Sequence, residues 1–186
     1  MRQIALIALG SNLQNGEESP VDIIKQAIHS LTLSGLVLRG VSRLFQTPCF
    51  PQGAGPDYIN ACVEVFCATE PQALLALLHK TEADFGRQRL QRWGSRTLDL
   101  DLLAFGDRVH PDEHVFGQWF RLPLEDQIGT APEQLILPHP RIQDRAFVLV
   151  PLADIAPNWT HPVLKSTVRQ MRDALKPEQI AEILPI

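Results

Sequence analysis

The chain of 186 residues has few cysteines and no hydrophobic run long enough to cross a membrane. Its three cysteines, Cys49, Cys62 and Cys67, form no Cys-x-x-Cys pair. This pattern disfavours a secreted disulfide framework and predicts reduced thiols in a cytoplasmic protein. The apolar N-terminal run is followed by no cleavage site, so it predicts a buried strand. The formal net charge of -4 disfavours binding to nucleic acid or a membrane surface over the whole protein, so any basic site is local.

Four common functional motifs are also absent. Neither Gly-x-x-x-x-Gly-Lys-Ser/Thr nor Gly-x-Gly-x-x-Gly occurs, which excludes a Walker loop and a Rossmann fingerprint as the phosphate cradle. His110 and His114 are four residues apart, but Pro111 interrupts them and no third ligand follows, so a zinc site is rejected. Ser11 lacks the flanking glycines of a nucleophile elbow. Phosphate binding would therefore depend on arginine and metal.

The hydrophobic periodicity predicts an α+β fold. Four segments have the composition of strands and two have helical spacing after a proline at the first position. Their order, strand, helix, strand, strand, helix, strand, is that of the ferredoxin-like βαββαβ fold, an antiparallel sheet with helices packed on it. The predicted strands run over Gln3 to Leu9, Leu36 to Phe45, Tyr58 to Cys67 and Thr97 to Phe105, and the predicted helices start at Pro20 and Pro71.

The length and composition predict a single domain over residues 1–186. The βαββαβ core is expected over residues 1–105. Residues 106–135 are rich in Pro and Gly without a clear period, which predicts a long loop or insert with at most a short hairpin. Residues 136–186 form a C-terminal extension with a helix predicted from Ser166 to Leu175. We expect a free-standing, monomeric protein.

Two carboxylates lie two residues apart on the last predicted core strand. Asp99 and Asp101 point to one face of a strand while Leu100 points to the other, toward the core. Hard oxygen ligands favour Mg²⁺, and a site with only two carboxylates leaves positions for water and substrate phosphates. A pair of exposed strand aspartates is the alternative interpretation, because Asp-x-Asp by itself is a weak signal.

An arginine cluster leads directly into this acidic pair. Arg87, Arg89, Arg92 and Arg96 fall within ten residues, around Trp93. Guanidinium groups suit phosphate oxygens and keep their charge when partly desolvated, and an indole can stack on a planar ligand. A solvated basic loop, salt bridges to nearby aspartates and a structural tryptophan remain alternatives. Together with the carboxylates, the cluster favours binding of a polyphosphate with magnesium.

Six motifs, in order and at compatible spacings, give the chain a family resemblance. They are Ala8-Leu-Gly-Ser-Asn-Leu13, Thr47-Pro48, Pro56-Asp-Tyr-Ile-Asn60, Glu82-x-x-x-Gly-Arg-x-Arg89, Arg92-Trp-Gly-Ser-Arg-Thr-Leu-Asp-Leu-Asp101, and Leu137-Pro-His-Pro-Arg141 followed by Arg145-Ala-Phe147. Together they closely resemble 6-hydroxymethyl-7,8-dihydropterin pyrophosphokinases over roughly residues 4–157. No single motif carries the resemblance.

The resemblance implies a cytoplasmic, magnesium-dependent enzyme of folate biosynthesis. It would transfer the β,γ-pyrophosphoryl group of ATP to the hydroxymethyl oxygen of the pterin and release AMP. Asp99 and Asp101 would hold two Mg²⁺ ions, and Arg87 and Arg96 would complete the catalytic set by neutralising phosphate charge. Its partners would be the two small-molecule substrates, with no nucleic acid and no membrane.

Two binding sets are likewise implied by the resemblance. The ATP-binding set comprises Glu82, Arg87, Arg89, Trp93, Arg96, His139 and Arg145. The pterin-binding set comprises Thr47, Pro48, Phe50, Tyr58, Asn60, Trp93, Asp99 and Phe147. In the second set aromatic side chains would stack on the ring while Asn60 and backbone groups bind its polar edge.

Two other functions stay open at this point. One is a noncatalytic ferredoxin-like module that binds nucleotide or RNA through Arg87, Arg89, Arg92 and Trp93. The acidic pair speaks against it, because carboxylates on the binding face repel a polyanion unless magnesium is present. The other is an ordinary kinase that releases ADP.

Overall fold

A computed structural model describes residues 2–49, 53, 55–86, 96–123, 126, 130 and 132–186 of the chain. Six strands and six α-helices lie in these residues, with one 3₁₀ turn at Ile142–Asp144. The strands are β1 Gln3–Ser11, β2 Val37–Val41, β3 Phe45–Thr47, β4 Tyr58–Cys67, β5 Asp99–Phe105 and β6 Leu184–Pro185. The helices are α1 Pro20–Leu33, α2 Pro71–Asp84, α3 Glu113–Arg121, α4 Ala146–Ile155, α5 Val168–Asp173 and α6 Pro177–Ala181.

The strands form one antiparallel sheet. Their order is β5-β1-β4-β3-β6, and β2 pairs with β4 beside β3. The predicted α+β fold with an antiparallel sheet is therefore confirmed. Gly10 of β1 pairs with Asp99 of β5 on one side and with Asn60 of β4 on the other. These three residues therefore form a row across the sheet at one end of the three strands.

Local signals start the two helices that pack on the first face of the sheet. Ser19 forms a capping box with Asp22 at the start of α1, and a proline occupies the first turn of both α1 and α2. After α2 the chain turns at Gly86, whose φ of 78° suits glycine. Buried residues of both helices pack against β1, β4 and β5 in the larger core cluster.

Helix α4 covers part of the opposite face. Val148, Leu149 and Leu152 pack against Leu6 of β1 and Cys62 of β4 in a second buried cluster. The three cysteines are buried, and none of them forms a disulfide within the described part of the chain. The row that contains Gly10 lies on this same face of the sheet, because Leu6, Ala8 and Gly10 alternate with the residues of the larger cluster.

The predicted strand from Leu36 to Phe45 is two strands in the structure. Between β2 and β3, Ser42 replaces a regular ladder contact: its N–H donates to the Cys62 carbonyl and its hydroxyl accepts from the Cys62 N–H, both at 2.9 Å. The alternation of residues indicated a strand here but could not show a break that depends on hydrogen bonds between Ser42 and the backbone of β4.

The predicted loop over residues 106–135 is wrong in its first half, where α3 occurs. Asp112 caps this helix by accepting the Val115 N–H at 2.9 Å. Phe116 is 1% exposed, with its ring centroid 5.5 Å from that of His161. The loop was predicted because this segment is rich in Pro and Gly and has no clear period, whereas burial of Phe116 stabilises the helix in the fold.

The predicted helix from Ser166 to Leu175 is present as the shorter α5, which begins after a capping box formed by Thr167 and Gln170. Of the helices in the described ranges, none has the length and apolar character that crossing a bilayer requires.

Candidate active site

The site is built on the row of residues shared by β5, β1 and β4. Asp99, Gly10 and Asn60 are register partners on adjacent strands, and Asp101 lies two residues along β5 from Asp99. Register partners in an antiparallel sheet point to the same face, and so do residues two apart. The two carboxylates and the Asn60 carboxamide therefore share one face, as the alternation of β5 predicted for the aspartates.

Each strand carboxylate is paired with an arginine. Arg96 Nη1 lies 2.5 Å from Asp99 Oδ2, and Arg145 Nη1 lies 3.0 Å from Asp101 Oδ2. All four side chains are partly exposed, between 22% and 34%. Arg96 precedes β5, whereas Arg145 is the N-cap residue of α4, so the tertiary fold brings together two arginines that are far apart in sequence. The positive charge faces the same space as the carboxylates.

Asn12 holds the backbone on both sides of this space. Its Oδ1 accepts the Arg96 N–H at 2.8 Å, its own N–H donates to the Arg96 carbonyl at 3.1 Å, and its Nδ2 donates to the Pro56 carbonyl at 3.0 Å. The side chain is 4% exposed. The sequence analysis included Asn12 in a family motif but gave it no role, and no local pattern indicated which distant backbone Asn12 would bind.

Gly10 is the second residue that the sequence analysis missed. A Cβ atom at this position would lie 2.9 Å from Asn60 Oδ1 and 4.0 Å from Asp99 Cβ. The first distance is shorter than real Cβ contacts, so Gly10 leaves room that the Asn60 carboxamide uses. Its occurrence next to a strand end was the available signal, but a strand stop explained it equally well.

His139 lies against the outer edge of β5. Its N–H donates to the Leu103 carbonyl at 2.8 Å, and its Nδ1 accepts the Arg141 N–H at 3.0 Å. Burial, together with the nearby Arg145 and Arg141 guanidinium groups, holds the pKa of His139 well below its ordinary value. The imidazole is therefore neutral, and the hydrogen bond to Nδ1 assigns its proton to Nε2. His139 can donate one hydrogen bond from that atom.

The predicted pterin residues on β3 and β4 come together. Thr47 is the register partner of Tyr58, and Asn60 Nδ2 donates to Thr47 Oγ1 at 2.7 Å. Thr47 and Asn60 are buried, Pro48 and Tyr58 are partly buried, and Pro48 follows β3 directly. This pairing fixes the Asn60 carboxamide next to Gly10.

Phe147 belongs to the first turn of α4 and is 40% exposed, although it is large and apolar. The Arg145 guanidinium carbon lies 5.6 Å from the centroid of its ring. A flat ligand could stack on this ring in the way predicted for the pterin.

Glu82 differs from the other predicted ATP residues in its environment. It is 1% exposed, and its Oε1 accepts the Leu100 N–H at 2.8 Å. Glu82 thus contacts the backbone of β5 at Leu100, the residue between Asp99 and Asp101. Four predicted site residues, Phe50, Arg87, Arg89 and Trp93, lie outside the described residues, as does Arg92.

The donor set of the site fits a hard divalent cation bound largely through substrate and water. Among the residues that the structure describes, no group of three or more His, Cys, Asp or Glu side chains is placed to hold a metal. Asp99 and Asp101 offer two partly exposed carboxylates on one face, the kind of set that holds Mg²⁺ together with substrate phosphates. The guanidinium groups of Arg96 and Arg145 lie beside these carboxylates, so the site also carries positive charge that phosphate groups could meet.

Two carboxylates, two arginines and a neutral histidine around one strand end are side chains of the kind that phosphoryl-transfer enzymes use to bind metal and phosphate. Residues 6–157 match the family model described as 7,8-dihydro-6-hydroxymethylpterin-pyrophosphokinase (HPPK). The chain belongs to this family.

Two curated relatives carry the name 2-amino-4-hydroxy-6-hydroxymethyldihydropteridine pyrophosphokinase. One, from Synechocystis, is 39% identical over 90% of this chain and 73% of its own length. The other, from Haemophilus influenzae, is 34% identical over 91% of this chain and 93% of its own.

Among solved structures, a variant of Plasmodium falciparum HPPK-DHPS with pteroate has a TM-score of 0.65 at 16% identity. The match covers 93% of this chain and 43% of that longer one, so this chain spans less than half of its length. At this identity the likeness shows the fold alone.

Proposed function

We propose that the strand end around Asp99, Asp101 and Asn60 is where this chain brings ATP and a pterin together. The chain transfers pyrophosphate from ATP to the hydroxymethyl group of 6-hydroxymethyl-7,8-dihydropterin in folate biosynthesis, giving AMP. The observation that carries the site is the common face of the two carboxylates and the Asn60 carboxamide. A polyphosphate and a flat heterocycle bound there would meet.

Asp99 and Asp101 hold magnesium in this proposal, and we propose two ions. When bound, magnesium neutralises phosphate charge and polarises the attacking hydroxyl. What supports the role is the chemistry of the pair, because both carboxylates are partly exposed and directed to one side. Asp99, which lies nearest Asn60 in the register, also orients the pterin hydroxymethyl group.

Arg96 and Arg145 exchange partners when ATP binds. In the structure Arg96 lies within hydrogen-bond distance of Asp99, and Arg145 lies within hydrogen-bond distance of Asp101. Phosphate oxygens compete for the same donors, so nucleotide binding draws the arginines away from the carboxylates and frees these for the metal. The neutral His139 adds one donor from Nε2 beside them. Arg87, Arg89 and Trp93 keep their places in the ATP-binding set that the family resemblance implies.

The pterin ring binds between β3, β4 and the start of α4. Asn60, aligned by Thr47 Oγ1 at 2.7 Å, meets the polar edge of the ring, with backbone groups at Thr47 and Pro48 beside it. Tyr58 and Phe147 supply aromatic faces, and the exposure of Phe147 supports this role because a large apolar side chain gains from being covered. Phe50 is the remaining predicted contact.

At the scale of the chain, we propose a single ferredoxin-like domain with a C-terminal extension that completes the site. The strand order and antiparallel pairing support the first part, and the position of Arg145 and Phe147 on α4 supports the second. We further propose that the enzyme is a cytoplasmic monomer. The three buried cysteines support the cytoplasmic location, because no disulfide joins them in the described residues.

One assay tests the function. The protein is incubated with ATP, Mg²⁺ and the reduced pterin alcohol, and the nucleotides are separated by chromatography. AMP is expected only when the pterin is present. ADP as the product would identify an ordinary kinase instead. Nucleotide binding without turnover by folded protein would favour the noncatalytic module.

A further inference from the structure

Glu82 is a buried carboxyl group whose hydrogen-bond partner belongs to the catalytic strand. The residue lies near the end of α2 and is 1% exposed. A side chain with so little exposed surface is poorly placed to touch a substrate, whereas its Oε1 lies 2.8 Å from the Leu100 nitrogen. The contact therefore links the helix to the backbone of β5.

Leu100 lies between the two aspartates of the site. Its side chain is 3% exposed and packs in the core on the opposite face from Asp99 and Asp101. Because side chains alternate along a strand, the orientation of the Leu100 peptide determines the direction in which both neighbouring carboxylates point. A hydrogen bond at this peptide acts on both aspartates at once.

Strand β5 needs this support because it stands at one end of the strand order, with β1 as its sheet partner. The ladder between β1 and β5 shifts register between Leu6 and Ile7, at the end away from Asp99. Two hydrogen bonds from outside the sheet hold the backbone of β5. Glu82 accepts the Leu100 N–H, and the backbone N–H of His139 donates to the Leu103 carbonyl. A buried N–H with no acceptor is destabilising, so a chain without Glu82 would favour a rearranged strand.

We propose that Glu82 is a positioning residue, which holds the β5 backbone at Leu100 and thereby sets the separation and direction of the Asp99 and Asp101 carboxylates for a divalent cation. The proposal rests on the proposed function for the role of the metal. It replaces direct contact with ATP as the reason for Glu82. Helix α2 supplies the acceptor, strand β5 supplies the metal ligands, and the hydrogen bond from the Leu100 N–H to Glu82 connects them.

Three variants and a control distinguish a residue that holds the β5 backbone from one that contacts ATP directly. Glu82→Leu removes the acceptor at similar volume, Glu82→Gln keeps an acceptor oxygen without the charge, and Glu82→Asp shortens the reach while keeping the carboxyl group. Thr81→Val is the matched control, because Thr81 is also buried on α2 but donates to Leu77 of its own helix. If Glu82→Leu does not fold, Glu82→Asp takes its place.

The first readout is amide hydrogen exchange at Leu100, measured by nuclear magnetic resonance on the protein alone. The second is Mg²⁺ binding, measured by calorimetry on protein saturated with a non-hydrolysable ATP analogue. In Glu82→Leu we expect faster exchange at Leu100 and Mg²⁺ binding weakened by about 10- to 100-fold, the usual effect of losing a group that orients metal ligands. Glu82→Gln and Thr81→Val should stay within about threefold of the parent in both.

Unchanged Mg²⁺ affinity in Glu82→Leu, or in Glu82→Asp where that variant replaces it, would overturn the proposal. So would an equal loss of affinity for the ATP analogue in Glu82→Gln and Glu82→Leu, since direct contact through the charge predicts that result. Neither readout needs turnover. Absence of AMP from the parent enzyme would thus reject the proposed function and leave the exchange result at Leu100 standing.

Discussion

Asp99 and Asp101 on β5 form ion pairs with Arg96 and Arg145. The expected effects of neutralising either carboxylate on turnover and on stability follow from these contacts. Asp99→Asn or Asp101→Asn should lower turnover by about 100-fold or more, because a neutral amide is a poor ligand for Mg²⁺. The free energy of unfolding should change by less than about 1 kcal/mol, since these ion pairs are partly exposed. AMP formation and denaturant unfolding measure the two effects.

Asp154→Asn is the control for this experiment. Asp154 is also paired with an arginine, Arg43, at 2.9 Å, but it lies late in α4, outside the proposed site. Its turnover should match that of the parent. A parent-like rate in either strand variant would remove that aspartate from the metal site.

The space beside Gly10 predicts a more selective effect. In Gly10→Ala the new Cβ would meet Asn60 Oδ1 at 2.9 Å and displace the carboxamide that Thr47 aligns. We expect the KM for the pterin to rise by about tenfold, with kcat less affected, and the free energy of unfolding to fall by about 1–3 kcal/mol. Steady-state kinetics with varied pterin measure the first effect.

Gly40→Ala provides a matched change in the same sheet. Its added Cβ would meet the nearest heavy atoms, both in the Ile155 side chain, at an ordinary contact distance of 3.4 Å. The pterin KM should therefore not change. Equal KM values for Gly10→Ala and the parent would show that the Asn60 carboxamide tolerates the methyl group or does not bind the ring.

At the level of secondary-structure elements, the packing of α3 depends on one buried side chain. Phe116 is its buried residue, with the Phe120 ring 5.8 Å and the His161 ring 5.5 Å away between centroids. Phe116→Ala should lower the free energy of unfolding by about 3–5 kcal/mol. Gln118→Ala, on the exposed side of the same helix, should change it by less than about 0.5 kcal/mol.

Thermal and denaturant unfolding measure this difference. Because α3 contributes none of the proposed site residues, the surviving folded fraction of Phe116→Ala should keep the pterin KM of the parent. A raised KM would connect α3 to the site in a way that its contacts do not show.

For the molecule as a whole, acid stability depends on buried neutral histidine. His161 is fully buried, and its Nδ1 accepts the N–H groups of Val163 at 3.2 Å and Leu164 at 3.1 Å. Burial lowers its pKa from 6.5 to about 4. The unfolded chain thus binds the proton more readily than the folded one. The stabilisation is complete above pH 6.5 and is lost as the pH falls from 6.5 to about 4.

The free energy of unfolding should accordingly fall by up to about 1.4 kcal/mol per pH unit across this window on account of His161. His139, whose pKa is also lowered by burial, adds to the slope in the same direction. His161→Asn keeps an acceptor for the two backbone N–H groups but does not titrate. Its unfolding free energy should vary less steeply between pH 6.5 and 4.5, and an equal slope in the two proteins would contradict the assignment.

Much of the fold could be predicted from the alternation of residues in strands and from the residues that start helices. The apolar run of β1, the proline at the start of α1 and α2, and the alternation of Asp99, Leu100 and Asp101 were readable because these effects act between near neighbours along the chain. The loop prediction that included α3 failed, since the buried Phe116 packs against residues distant in sequence such as His161, 45 residues further along the chain.

By itself, the sequence determined the α+β class, the common face of Asp99 and Asp101, and the family motifs, because all three depend on residue order and local spacing. The tertiary structure alone decided the partners: Arg145 for Asp101, Thr47 for Asn60, Glu82 for the Leu100 peptide. These contacts form between segments whose distance in space is set by strand pairing and helix packing. No local pattern of residues encodes that distance.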